Sequence, residues 1–198
     1  SRQVQHMEVY QEASSVYSQY KASFPGAALL RNTTHVILDG KNIESHLYGI
    51  YLCGGKQVAD NHTLVDHRMP HCQSNELYKG VMMDESSGIF NGKIFVRQDA
   101  QKTNAFQQNN NLMLSEKAVV DSKPQLEIFA DDVKCSHGST VGQFNEQAIF
   151  YLQSRGIGVE TARSLLVQAF LFDVTDKMPH EPVRDFINKL VAVGLKQE

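Results

Sequence analysis

The sequence contains no tryptophan, and only five prolines and three cysteines in 198 residues. Three cysteines (Cys53, Cys72 and Cys135) are an odd and sparse set, which reads as reduced thiols and not as a disulfide framework. Lys and Arg nowhere cluster, and the net charge is -3, so there is no electrostatic footprint for nucleic acid. No apolar run approaches the roughly 18 residues a bilayer span requires, and association with a membrane is not expected. A charged-then-apolar leader is also missing, so the expected compartment is the cytoplasm. The chain opens Ser1-Arg2-Gln3-Val4 without an initiator Met, as a piece of a longer protein would. Nucleotide motifs are incomplete: Gly54-Gly55-Lys56 and Asn91-Gly92-Lys93 lack phosphate-loop spacing, and Gly156-Ile157-Gly158 lacks the third glycine of a dinucleotide fingerprint. No Gly-x-Ser-x-Gly elbow is present, and the expectation is a protein that is not an enzyme.

What the sequence does have is rhythm. Short apolar clusters recur at Val36-Ile37-Leu38, Ile50-Tyr51-Leu52, Leu64-Val65, Val81-Met82-Met83, Ile94-Phe95-Val96, Leu112-Met113-Leu114 and Leu126 with Ile128. Turn formers separate them: Asp39-Gly40, Gly54-Gly55, Ser86-Ser87-Gly88, Asn91-Gly92 and Asn109-Asn110-Asn111. Short strands between polar turns predict a mainly β body. Two strand-plus-turn units take about 28 residues, inside the ~20–50-residue window of solenoid repeats, which favours a flattened β-helix over a sandwich. The run Gln107–Asn111 is either an amide ladder between neighbouring coils or a solvated loop. Residues 1–25 show only incomplete strand patterns.

After Val141 the period changes. Phe144, Ala148, Ile149 and Leu152 share a helical face; Ala162, Leu165, Leu166, Ala169 and Phe170 mark a second helix; Val183, Phe186, Ile187, Leu190 and Val191 mark a third with Pro182 in its first turn. The expected organisation is a β-helix core over 1–140 followed by a small C-terminal helical subdomain over 141–198.

Two stretches carry candidate chemistry. His62, His67, His71 and Cys72 are four potential ligands, yet their spacing matches no compact zinc pair. In a strand His62 and His67 have opposite parity, so surface or corner histidines are the favoured reading and a stand-alone metal site the rival. In Asp131-Asp132-Val133-Lys134-Cys135-Ser136-His137-Gly138, an extended backbone puts Cys135 and His137 on one face. A ligand pair, a thiolate with its base, and a buried thiol beside a surface imidazole all remain open. The acidic pair Asp131-Asp132 is expected to raise the Cys135 thiol.

The strings "VDHRMPHCQSNELYKGV" (65–81), "GIFNGKIFVRQDAQKTNAFQQNNNLMLS" (88–115) and "KPQLEIFADDVKCSHGSTVGQFNEQAIFYLQSRGI" (123–157) closely resemble the SufD subunit family of the SufB–SufC–SufD iron–sulfur cluster assembly scaffold. The likeness covers the chain from about residue 26 to about residue 178 and matches the C-terminal half of such a subunit. The sister SufB sequences carry a Glu-rich His motif where this chain has Asp-Asp-Val-Lys-Cys-Ser-His-Gly.

The resemblance implies a right-handed parallel β-helix followed by helices. It also implies a non-catalytic scaffold that pairs with a SufB-like subunit and recruits a SufC-like ATPase through its helical tail, over about 143–178. Cys135 and His137 become the implied cluster ligands, with the iron–sulfur cluster transient and shared with the partner, because one subunit supplies fewer than the four ligands a cluster normally takes. A β-helix leaves open edges, so a homodimer with its contact near Cys135 is expected when the SufB-like partner is missing. A polysaccharide-acting β-helix enzyme is a further rival, but no groove of carboxylates and basic residues can be read here.

Overall fold

A computed structural model describes residues 1–195. Ten strands come first: β1 (Arg2–Gln11), β2 (Val16–Ser23), β3 (Leu29–Leu38), β4 (Glu44–Cys53), β5 (Val58–His67), β6 (Gln73–Met82), β7 (Ser87–Val96), β8 (Asn104–Met113), β9 (Val119–Ile128) and β10 (Lys134–Gln143). Three helices follow: α1 (Glu146–Ser154), α2 (Val159–Thr175) and α3 (Glu181–Gly194). Odd strands form one parallel sheet in the order β1-β3-β5-β7-β9, and even strands form the other, β2-β4-β6-β8-β10. The chain therefore climbs as a solenoid, one odd and one even strand per coil. Leu29 pairs with Val58 and Val58 with Ser87, so a coil takes about 30 residues, as the apolar rhythm predicts.

The corners repeat as well. Ser14, Asn42, His71 and Lys102 each follow an odd strand, and each adopts a positive φ, between 58° and 62°. A left-handed residue turns the chain sharply at this corner of each of the first four coils. His71 is one of these corner residues, which accounts for its place after Pro70.

Inside the solenoid, alternate side chains of both sheets meet. Val36, Leu38, Ile43, Leu47, Tyr51, Val65, Tyr78, Met82 and Phe90 form much of this core. The apolar clusters of the sequence mark only the C-terminal halves of these ten-residue strands. In the N-terminal halves a few apolar residues such as Leu47 and Phe90 share the inward positions with polar ones, including Asn32, Ser45, Asn61, Ser74, Glu76 and Gln107, all buried.

A second core lies outside the even-strand sheet. There Ile50, Leu52, Val81 and Leu112 pack against Val167, Leu171, Val174, Ile187 and Val191 of α2 and α3. The run Ile50-Tyr51-Leu52-Cys53 is apolar throughout because both its faces are covered. Lys79, outward on β6, is buried beneath α2, where its Nζ donates to Phe170 O at 2.7 Å and Asp173 Oδ2 at 2.5 Å. It also lies 4.7 Å from the centre of the Phe170 ring. At the start of α1 the Asn145 side chain caps the Gln147 and Ala148 amides, satisfying two otherwise orphaned donors.

Three expectations change. Residues 1–25 form two regular strands. Gln107–Asn111 is neither a loop nor a ladder of like amides but the middle of β8, with Gln107, Asn109 and Asn111 inside and Gln108 exposed. His67 is not a surface histidine: it is fully buried on β5.

Candidate functional site

β9 and β10 form the last coil, and each pairs with only one neighbour, β7 and β8 respectively. Their other edges carry free backbone donors and acceptors. Cys135 and His137 lie on β10 in register with Ala105 and Gln107 of β8. Both of those β8 residues are buried inside the solenoid, so the pair occupies inward positions of a coil with no coil beyond it. The same-face reading of Cys135-x-His137 holds in the backbone. His137 is exposed, while Cys135, like Leu126 and Val133, is half-buried against the small cluster of Ile94, Val96, Ala100, Ala105 and Ala130. A Cβ built on Gly138 or Gly142 meets nothing within 4 Å, so the strand edge around the pair is open.

Burial pushes the Cys135 thiol above its ordinary value, opposed by a backbone hydrogen bond at Ala105. The rise agrees with expectation, but its cause does not. The cause is burial and not the acidic pair, whose Asp132 carboxylate is occupied in an ion pair with Lys102. A raised thiol keeps its proton near neutral pH, which disfavours a free nucleophile and suits a sulfur that is deprotonated as a metal binds. Thiolate and imidazole together suit iron, copper or zinc.

The other candidate ligands are held apart. His62 faces outward with Nε2 2.7 Å from Asp60 Oδ1. The buried His67 has Nε2 2.8 Å from Ser74 Oγ, and burial lowers it to about 4, against the pull of Asp66. Cys72 donates its thiol to Gly40 O at 3.2 Å. Among the described residues no three His, Cys, Asp or Glu side chains converge to hold a metal ion.

Behind the last coil lies a feature that hydropathy did not reveal, a hydrogen-bonded polar interior. Ser139 Oγ donates to Ser122 Oγ at 2.8 Å, and Ser122 Oγ to Asn109 Oδ1 at 2.7 Å. Asn109 Nδ2 then donates to the Tyr51 hydroxyl at 2.9 Å, which donates to Asn111 Oδ1 at 2.5 Å. Gly80 makes room for this network, since a Cβ there would come within 2.4 Å of Tyr51 and Asn111. Alongside runs Glu76, whose Oε2 accepts from Gln107 Nε2 at 2.6 Å. Burial pushes the Glu76 carboxyl up to about 7, with contacts from Thr63 and Gln107 working against the shift. The signal that could have found Glu76 and Gln107 is their inward parity within ten-residue strands.

The chain matches the family model described as "SUF system FeS cluster assembly, SufBD core domain" over residues 1–170. It is 40% identical to the iron–sulfur cluster assembly protein SufD of Escherichia coli K12, over 85% of this chain and 40% of that protein. An iron–sulfur cluster assembly SufBD family protein of Synechocystis is 39% identical over 84% of this chain and 37% of its own length. The SufD protein of Bacillus subtilis is 36% identical over 85% and 37%. The chain thus spans about two fifths of the length of these relatives. A parallel solenoid with a helical tail and a SufBD core match running through all ten of its described strands and into the helices places this chain in the SufBD family of iron–sulfur cluster assembly proteins.

Proposed function

We propose that this chain is the C-terminal part of a non-catalytic scaffold subunit, one that builds iron–sulfur clusters in the cytoplasm together with a SufB-like subunit and a SufC-like ATPase. Cys135 and His137 are its cluster ligands. They supply two donors where a cluster normally takes four, and the partner supplies the rest, so the cluster is a cargo assembled between chains. The observation that carries this reading is the position of the pair. A soft and a borderline ligand share one face of the terminal coil, beside two strand edges that another chain can cover. Alone, the same edges favour a homodimer with Cys135 near the contact.

The helices α1 to α3, within the subdomain expected over 141–198, of which 196–198 lie outside the described residues, are in this reading what recruits the ATPase. Leu165 and Phe172 on α2, and Phe150 and Tyr151 on α1, remain exposed, although α3 and the sheet cover Val167, Leu171 and Val174. Uncovered aromatic and aliphatic side chains of this kind supply the few anchors that carry most of a protein–protein affinity.

The test is His137→Ala in the full-length subunit, reconstituted with its SufB-like and SufC-like partners. Complex formation is expected to survive, while cluster assembly falls by about tenfold or more, the scale on which metal sites respond to loss of even an outer partner. Cluster assembly at the wild-type rate in an intact complex would remove His137 from the ligand set.

A further inference from the structure

His137 does not stand alone in the register. It pairs with Gln107, which pairs with Glu76 on the strand before. The three side chains occupy one inward column across β6, β8 and β10, with neighbouring strands about 4.8 Å apart. Gln107 is 0% exposed and Glu76 is 4% exposed. Gly92 gives the amide its space: a Cβ there would come within 2.5 Å of Gln107 Nε2.

The amide edge bearing Nε2 is committed to Glu76 Oε2. The other edge, Oε1, is buried and has no hydrogen-bond partner. A buried carbonyl oxygen left unpaired is destabilising, and the next polar side chain along the column is the His137 imidazole. Metal-ligating histidines almost always donate their second ring N–H to an oxygen, which fixes tautomer and ring orientation. No other buried side chain of the column is placed to do this.

We propose that Gln107, held in orientation by Glu76, is the positioning residue for His137: its Oε1 accepts the N–H of one ring nitrogen and so presents the other nitrogen at the open end. Glu76 acts one step further back. While ionised it accepts from Nε2 and prevents the amide from turning over. The polarity of the column thus runs carboxylate, amide N–H, amide oxygen, imidazole N–H, with each donor facing an acceptor. This rests on His137 being a ligand only for its purpose. In the structure Gln107 Oε1 is unpartnered and His137 is exposed, so the bond requires the imidazole to turn inward against β8, and it is measured in the metal-free chain.

The experiment is nitrogen-detected NMR of the chain labelled with 15N-histidine, reading the Nδ1 and Nε2 shifts of His137 at a pH where the ring is neutral. His137→Gln assigns the resonances, and the amide spectrum of the remaining chain reports folding. Wild type is expected to show a single dominant tautomer. Gln107→Met keeps the side-chain length but removes the acceptor, and is expected to return His137 to the mixed tautomers of a solvated imidazole. The exchanged pair, Glu76→Gln with Gln107→Glu, restores an oxygen facing His137 and is expected to restore the single tautomer. A merely structural role for Gln107 predicts no such rescue. If wild-type His137 already shows the solvated mixture, or if Gln107→Met folds and leaves the tautomer unchanged, the proposal is overturned. Should Gln107→Met not fold, the wild-type spectrum and the exchanged pair decide the matter. A cluster-assembly defect in His137→Ala with wild-type tautomers mixed would sink this inference and leave the ligand role standing.

Discussion

Replacing Glu76 by Gln tests the polar interior through stability alone. Glu76 is buried, and its folded-state value of about 7 lies above the model-compound value of 4.5. The native state therefore holds a proton that the unfolded state releases between those values. Over that window stability falls as pH rises, and above about pH 7 the loss is complete. A difference of about 2.5 units corresponds to about 3 kcal/mol at about 1.4 kcal/mol per unit. His67 acts in the opposite sense. Its folded-state value, about 4, lies below its ordinary 6.5, so the unfolded state binds the extra proton and stability rises with pH across that range. That term is also about 3 kcal/mol, by the same conversion. Between about pH 4.5 and 6.5 the two slopes nearly cancel in the wild type.

Glu76→Gln keeps the shape, and a Gln oxygen can still accept from Gln107 Nε2, but the titration is gone. The difference in unfolding free energy, variant minus wild type, is expected to grow by about 3 kcal/mol in the variant's favour between pH 4.5 and pH 8. Groups common to both proteins, including Asp66 with its Arg97 and Arg68 partners, drop out of the difference. Urea unfolding followed by far-ultraviolet circular dichroism, extrapolated linearly at each pH, measures it. A difference that stays constant from pH 4.5 to pH 8 would show that Glu76 titrates like a solvated carboxyl, and the buried column would be wrong.

Four further substitutions have expected outcomes. His71→Gly relieves a non-glycine residue at φ 62°; because glycine also gains entropy when unfolded, the net stabilisation is expected to stay below about 1 kcal/mol, and a loss above that in the same urea assay would refute the corner role. Asp173→Ala leaves the Lys79 ammonium, 6% exposed, without its carboxylate, and is expected to cost about 2 kcal/mol, discounted from a fully buried pair because Asp173 is itself largely solvated. Lys79→Met removes the charge together with its burial and is expected to cost less; the reverse order in thermal or urea unfolding would contradict this. Phe172→Asp, placed on the exposed side of α2, is expected to weaken capture of the SufC-like ATPase by at least about tenfold without changing the unfolding midpoint. Point substitution is the cleaner test here, since removing the helices would also uncover Ile50, Leu52, Val81 and Leu112.

The β architecture was legible because apolar clusters recur once per strand, and the helical tail because its period shifts to that of a helix. Strand lengths were not. Each cluster marks only half of a strand, as in β5, where Leu64 and Val65 stand out but Asn61 and Thr63 are equally internal. Asn109-Asn110-Asn111 read as a turn for the same reason. Asparagine is rare in strands mainly because its amide must be satisfied, and here Asn109 and Asn111 bond each other and Tyr51. His67 misled in the same way, its partner being Ser74 on the next strand.

Local sequence was enough to find Cys135 and His137 as a pair, but not to find what stands behind them. In a solenoid the nearest neighbour of an inward side chain lies one coil away along the chain, about 30 residues distant, and no window used to read strands or ligand motifs reaches that far. Glu76, Gln107 and His137 are separated by that interval, as the pairing of β6 with β8 and of β8 with β10 makes plain. Setting the sequence in rows of one coil and reading down the columns would have placed a carboxylate, an amide and an imidazole in line. It would also have placed Ser74, Ala105 and Cys135 in the adjacent inward column, so small side chains lie behind the thiol where polar ones lie behind the imidazole. In the proposed ligand role that asymmetry gives the two residues different work: the sulfur is backed by apolar packing that holds its proton until a metal displaces it, and the ring by a polar column that can fix its orientation.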